Sequence, residues 1–380
     1  MAAQSAQQTL KEVQETISSF NKLVNLFFNG EVGKPKLPRY RKSGGLNTVT
    51  FPLQALTYKN GCVYPSISKL SKSDVIGEIK LEIPDFVDFN LVKEVRIRPL
   101  RGEFWIDWIC DDGKTELESN PKLDYSHYLA IDHGVKNWVS AVTTKGRSFV
   151  VDANPLKKVL DNYRDRTASI KKYKPDRYWD EQLDKLTAKR NLVVRDSVNK
   201  MARFIINRCL KDGIGNLVFG WNEGNKQRIN NGTKNNYNTV SMPTKRLIER
   251  LQELCKEYGI KFHVTSEEYT SKASFIDRDC LPQYGVKPKD WKPSGKRTTR
   301  DLYRSKEGKV INADLNAAGN ILRKVIHKSE ILPKIWIKRY LSKIDGALTN
   351  PAKYDVFRNL KKCFTTLLCS TSLDCGTTSA

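Results

Sequence analysis

A chain of 380 residues with 39% hydrophobic content is long enough for two or three units with cores of their own. Its 66 Lys and Arg against 42 Asp and Glu leave 24 surplus positive charges, which points to a polyanion such as nucleic acid, with a merely basic or ribosome-like protein as the plain alternative. No apolar run approaches the roughly 18 residues of a membrane span, no charged-then-apolar leader opens the sequence, and the eight cysteines contain no C-x-x-C pair; membrane proteins and disulfide scaffolds are excluded, and a soluble protein of the reducing cytoplasm is expected.

Residues 4–28 carry helical spacing, with Leu10, Val13, Ile17, Phe20, Leu23 and Phe27 on one face. That stripe needs either the following domain or a missing upstream segment to cover it. In "GEVGKPKLPRYRKSGG", Pro and Gly forbid regular structure, while Lys34, Lys36, Arg39, Arg41 and Lys42 suit a phosphate contact or a solvated linker. From 46 to about 118, short alternating runs such as "VTFPL", "EIKLEI", "EVRIRPL" and "FWIDWIC" predict a small β-barrel or sandwich. Residues 128–152 give three antiparallel strands turning at Lys145-Gly146, and residues 155–212 two charged helices meeting near Pro175. A strand "NLVFGW", a polar loop, a helix ending at Gly259, a strand "IKFHVTSE", a basic segment 270–310 and a helix from about Asn312 come next. Three meandering strands, then alternating helices and strands, is the order of an RNase H-like domain.

That order places acids at three separated points. Asp132 closes the first strand, Glu267 and Glu268 follow "KFHV", and Asp314 opens the last helix. Singly they read as a turn residue, a solvated strand end and a first-turn acid favoured by the helix dipole. Together they suit two-metal phosphodiester hydrolysis, in which carboxylates hold two Mg²⁺ ions and leave room for water and phosphate.

"LAIDHGVKNWVSAVT", "EEYTSKAS" and "INADLNAAGNILRK", with "FFNGEVGKPKLPRYRKSGG" upstream, resemble the TnpB (OrfB) family of insertion-sequence proteins, compact RNA-guided DNA nucleases related to type V CRISPR effectors. The resemblance spans roughly residues 3–325. It implies a wedge-like β-barrel, a RuvC-type nuclease domain and a guide RNA from the element's own locus, with Asp132 and Asp314 as the first and last RuvC carboxylates. Two departures stand out. Where the family carries its middle glutamate at a strand end, this chain has "LVFGWN" with Gly220; the acid is expected to have moved to Glu267, with Glu268 as the alternative favoured by strand alternation. Where relatives carry a four-cysteine zinc ribbon, Ser274, Asp277, Arg304 and Glu307 stand instead, so zinc is not expected. Residues 281–311 carry nine Lys or Arg against three Asp or Glu, a charge that suits nucleic acid without metal.

The expected architecture is an α+β or α/β multidomain chain: an N-terminal helix (1–29), a wedge-like β-barrel (30–124), an RNase H-like domain with helical insertions (125–326, with 270–311 replacing the ribbon), and a C-terminal helix and tail (327–380). The expected function is guided DNA cleavage with two Mg²⁺ held by Asp132, Glu267 and Asp314, with guide RNA and target DNA as partners and no membrane. Nucleic-acid contacts are assigned to Lys34, Lys36, Arg39, Arg41, Lys226, Arg228, Lys272, Arg297 and Arg300. The alternatives are a guided DNA binder or transposon relic that no longer cuts, for which Gly220 and a short N-terminal region speak, and a transposase that itself transfers strands. If Glu267 and Glu268 both proved dispensable, Glu223 would be the remaining middle acid.

Overall fold

The computed structural model describes residues 3–40, 45–67, 78–100, 103–111, 113, 119–222, 241–283, 285–327 and 334–357. Arg41, Glu223, Lys226 and Arg228 lie outside the described residues. The chain divides into two compact units, Met1–Lys114 with Trp179–Lys185, and Thr115–Tyr178 with Leu186–Ala380. It is a mixed α/β, multidomain protein, and among the described residues no helix is long and apolar enough to cross a membrane.

In the first unit, helix α1 (Ala3–Phe28) packs on strand β1 (Val49–Pro52). Leu10, Val13, Ile17 and Leu23 of its apolar stripe remain exposed. Strands β2 (Leu56–Lys59), β3 (Cys62–Pro65) and β4 (Leu81–Glu82) form one antiparallel sheet; β1, β5 (Val92–Leu100) and β6 (Glu103–Cys110) form another, in the order β1-β5-β6. Val63, Leu81, Val92 and Val95 make a core shared by both sheets. Among the described residues no ladder joins the two sheets, so they lie as two layers on one core. The β2–β3 hairpin turns at Asn60-Gly61, whose φ angles of 52° and 74° are those of a two-residue turn that matches strand twist.

The second unit is built on one six-stranded sheet. Strands β7 (Asp124–His133), β8 (Asn137–Thr143) and β9 (Ser148–Asp152) form the antiparallel meander. Helices α2 (Asn154–Lys171) and α3 (Glu181–Lys211) come next, separated by a Pro175 loop in which Tyr173 and Arg177 take positive φ. Strand β10 (Ile214–Gly220) returns parallel to β7; helix α4 (Thr244–Tyr258), closed by Gly259 at φ 68°, leads to β11 (Lys261–Thr265), parallel to β10. A small antiparallel sheet of β12 (Lys296–Arg297), β13 (Leu302–Arg304) and β14 (Val310–Asn312) precedes helix α5 (Ala313–Ile326). Helix α6 (Lys334–Ala347) and strand β15 (Ala352–Tyr354) complete the unit, and β15 pairs parallel with β9. The order across the sheet is β11-β10-β7-β8-β9-β15.

Both faces of this sheet are covered, and side-chain alternation sorts residues between them. Leu129, Ile131, Leu217 and Phe219 pack with α2, α3 and α4; Tyr128, Ala130 and Val218 pack with Phe275, α5 and α6. The C-terminal segment is part of this architecture rather than an appendage, because Phe357 is 1% exposed and stacks on Trp138 at 5.9 Å. Phe357→Ala is therefore expected to cost about 3–5 kcal/mol of unfolding free energy in urea denaturation; a change under about 1 kcal/mol would show that the segment does not complete the core.

Candidate active site

Asp132 lies one residue before the end of β7, opposite Ser140 in the register with β8. Counting by twos from Tyr128 and Ala130, its side chain emerges on the face covered by α5. The next residue but one, Gly134, lets the chain leave the strand: a Cβ there would stand 2.8 Å from the Asn137 carbonyl oxygen. The side chain of Asn137, at the start of β8, donates to Asp314 Oδ2 at 2.9 Å. The motif "DHGVKN" thus supplies one acid and the residue that orients another.

Asp314 occupies the first turn of α5, where Asn312 caps the helix by accepting from the backbone N–H of Asp314 and Leu315, both at 3.0 Å. Its Oδ1 accepts from the Arg297 guanidinium at 3.1 Å. Arg297, expected only as one of several contacts to nucleic acid, therefore also stands against a candidate acid. Lys34, Lys36, Arg39, Lys272 and Arg300 are exposed.

The third acid arrives from beyond β11. Glu267 and Glu268 diverge: Glu267 Oε1 lies 2.8 Å from His133 Nδ1, whereas Glu268 faces Lys324 at 3.5 Å. Strand alternation read from Phe262 and Val264 favours Glu268, but that reading assumes a single apolar face. Phe262 packs with the α2–α4 side, so the site side carries His263, Thr265 and, in the same phase, Glu267. Gly220 explains how Glu267 fits. A Cβ at 220 would lie 2.4 Å from Ile321 Cδ1 and 3.1 Å from Glu267 Cγ, so the Glu267 side chain passes beside the space that a side chain from β10 would take. Two residues on, Asn222 Oδ1 accepts from the Glu267 backbone N–H at 2.9 Å. "GWN" and "EEYTSK" are two halves of one local arrangement.

A ladder of asparagines fixes the segment after Glu267 onto α5. Asn316 accepts from Phe275 N–H and donates to the Ala273 carbonyl, each at 2.8 Å, while Asn320 donates to the carbonyls of Thr270 and Ala273 at 2.9 and 2.8 Å. Both are fully buried, and at i and i+4 they share one helix face. Between them Gly319 admits the Phe275 ring, to which a Cβ would come within 2.6 Å. The residues of "DLNAAGN" thus serve docking as much as chemistry.

At Ser274 and Asp277, two of the positions where the resemblance led to an expectation of ribbon cysteines, hydrogen bonds tie the loops. Asp277 accepts from Lys306 N–H at 2.9 Å and its own N–H donates to Ser274 Oγ at 3.2 Å. The neighbouring Asp279 accepts from Ser274 N–H at 2.7 Å and from Ser294.

The Asp132 carboxyl is held well above the usual carboxylate range, first by burial, then by the charges of Glu267 and Asp314, against a smaller opposing effect of Arg297. Glu267 and Asp314 are therefore each within electrostatic reach of Asp132. Among the described residues no three His, Cys, Asp or Glu side chains close on a common metal position. The chemistry of the donor set still fits a hard divalent cation, because it is all carboxylate and because Glu267 Oε1 is buried with no hydrogen-bonded partner. The 2.8 Å approach to His133 Nδ1 is misaligned for a hydrogen bond, and that nitrogen is likewise unsatisfied.

Asn316→Leu leaves Phe275 N–H without an acceptor and should lower unfolding free energy by about 2–3 kcal/mol, more than the roughly 1 kcal/mol of removing the Asn312 cap; equal losses in urea denaturation would contradict the ladder's role. Asp132→Asn should stabilise the protein in chelator. A raised folded pKa means the folded state binds the extra proton, so the wild type loses stability as pH rises above the ordinary value of 3.8, and the gap to the variant widens with it. A gap that narrows with rising pH would reverse the assigned electrostatics.

Residues 114–226 match the OrfB_IS605 family, described as a probable transposase, and residues 245–321 match the Cas12f1-like, TNB domain. No curated protein matches the chain. Among solved structures, a Cas12f1-sgRNA-target DNA complex is similar at 16% identity over 78% of this chain and 74% of that one, with a TM-score of 0.39. A CRISPR-Cas12f ternary complex is similar at 18% identity over 64% and 46%, with a TM-score of 0.38. The first matched stretch contains Asp132 and the second contains Glu267 and Asp314, and over these two stretches the chain is similar to the OrfB_IS605 and Cas12f1-like families.

Proposed function

We propose that this protein is a transposon-associated, RNA-guided DNA endonuclease whose second unit is a RuvC-type nuclease domain, with Asp132, Glu267 and Asp314 as its metal-binding acids. The single observation that carries the reading is convergence: Asp132 at the end of β7 has Glu267 from the segment after β11 and Asp314 from the first turn of α5 near enough that, after burial, their charges hold its carboxyl above the usual range. The sheet order supports it, since the meander β9-β8-β7 followed outward by the parallel β10 and β11 is the RNase H-like order. A pair of bound Mg²⁺ ions would stabilise the attacking and leaving oxygens of a phosphodiester.

The chain's own residues prepare that chemistry. Asn137 fixes one oxygen of Asp314, leaving the other to Arg297. Asn222 holds the Glu267 backbone, and the asparagine ladder holds the backbone from Thr270 to Phe275. His133 stands beside Glu267, with Nδ1 2.8 Å from Oε1. Guide RNA and target DNA are the proposed partners, because residues 114–226 and 245–321 match the OrfB_IS605 and Cas12f1-like families and the 24 excess positive charges suit a polyanion. In that complex, base pairing reads sequence and the protein grips backbone.

A second reading, guided binding without cutting, has one specific observation in its favour: the Arg297 guanidinium already neutralises Asp314. The two readings separate in one assay. The chain, co-expressed with RNA from its own flanking sequence, should cut guide-matched DNA only with Mg²⁺. Asp132→Ala, Glu267→Ala and Asp314→Ala should each slow cutting about a thousandfold or more, equivalent to about 4 kcal/mol of barrier, with Glu268→Ala retaining most of the rate. Binding without cutting by the wild type would support the second reading, and cutting that survives all three substitutions would remove the site.

A further inference from the structure

Two buried polar atoms close to Asp132 have no use in the arrangement described so far. His133 Nδ1 and Glu267 Oε1 each lack a hydrogen-bond partner, yet they lie 2.8 Å apart. We infer that His133 is a positioning residue for the third acid: its Nδ1–H donates to Oε1 of Glu267 and so presents the other carboxylate oxygen to a divalent metal. The inference rests on the metal-binding role proposed for Glu267 and deepens it, and it gives His133 no role as a metal ligand.

The place of the ring follows from the strand. His133 is the last residue of β7, and alternation from Leu129 and Ile131 puts it on the face opposite Asp132. There the imidazole lies against Phe219 and Trp221, with ring centroids 5.7 and 5.3 Å away. Those two residues flank Gly220, where a Cβ would stand 3.1 Å from Glu267 Cγ. The rings on either side of the glycine hold the imidazole, and the glycine leaves the glutamate its path. Because β7 ends at His133, the Glu267 carboxylate can meet the imidazole at the sheet edge while its charge still acts on Asp132. Adjacent residues of one strand thus serve the site differently, Asp132 as an acid and His133 as the holder of another.

Packing accounts for a ring at this position but not for its nitrogen. An apolar side chain would fill the space beside Phe219 and Trp221 without burying an unpartnered polar atom, which is costly. Two such atoms at hydrogen-bonding distance satisfy each other once the N–H points along the line between them. The imidazole is held between rings, whereas the terminal torsion of a glutamate is broad, so the carboxylate is the group that turns. The contact also fixes the tautomer. With the proton on Nε2 alone, the Nδ1 lone pair would face a carboxylate oxygen across 2.8 Å, which is repulsive. A donor on one oxygen of a metal-binding carboxylate sets the direction of the other, and losing such a partner weakens metal binding about ten- to a hundredfold.

The test begins on the full chain without metal. In a long-range proton–nitrogen correlation spectrum at about pH 8, where an ordinary imidazole is neutral, only four histidines contribute. His133, identified by its absence in His133→Asn, should carry its proton on Nδ1, and Glu267→Ala should release it to the Nε2–H form. A proton on Nε2 alone in the wild type, or an Nδ1–H form that survives Glu267→Ala, would overturn the inference. Mn²⁺ affinity, read by electron paramagnetic resonance without nucleic acid, supplies the second arm. His133→Leu keeps the bulk but no donor and should weaken binding about tenfold, while His133→Asn, whose amide nitrogen can stand near the place of Nδ1, should stay within about threefold of the wild type. In a Glu267→Ala background, His133→Leu should have no further effect. Leu as tight as the wild type, Asn as weak as Leu, or an equal loss in that background would reduce His133 to a packing residue. Failure of guided cutting with these results intact would count against the nuclease reading and leave this inference standing; a wild type whose Mn²⁺ uptake ignores Glu267→Ala would overturn both.

Discussion

The arrangement of this second unit depends on the clamp between α5 and the segment after β11. Without Asn316 and Asn320, the backbone from Thr270 to Phe275 would have no partners for groups buried against the helix, and Glu267 would sit at the mouth of an unanchored loop. Because the same helix carries Asp314 in its first turn, the clamp converts two distant pieces of sequence into one rigid body. Asp132, on a central strand beneath that helix, then has a fixed relation to both.

The end of β10 and the segment after β11 compete for one space in this site. A glutamate projecting from β10 and one projecting from the end of β11 approach the same space, and a Cβ on β10 would intrude on Ile321 and Glu267 together. A side chain at 220 would thus conflict with the Glu267 side chain in its present position, and Asn222 holds the Glu267 backbone. In the loops at Ser274, Asp277 and Asp279, hydrogen bonds close the turn on itself, and one bond ties Asp277 to the Lys306 backbone.

Much of this was legible in the sequence, for identifiable reasons. The order of strands and helices after residue 124 came from hydrophobic period and from Gly and Pro at the breaks, and the positions of Asp132 and Asp314 from element ends. The choice between Glu267 and Glu268 was not legible from alternation, because the sheet is buried on both faces and an apolar residue does not say which face it serves. Asn137, Asn316 and Asn320 read as ordinary polar residues; their partners are backbone groups more than 40 positions away, or an acid 177 positions away, and no local pattern marks them. Strand β15 was missed because three residues with "AKY" carry no strand signal of their own and are held by pairing with β9. Arg297 was legible as a cation but not as the partner of Asp314, since the contact depends on the small β12–β14 sheet.

The central claim is that Asp132, Glu267 and Asp314 form one divalent-metal centre. The most direct measurement is anomalous X-ray diffraction from crystals of the protein grown with Mn²⁺. Anomalous density is expected in bonding contact with all three carboxylates, with Arg297 withdrawn from Asp314 and Glu268 still on Lys324. Density absent from this position while Arg297 remains on Asp314, or a metal held by Glu268 in place of Glu267, would contradict it.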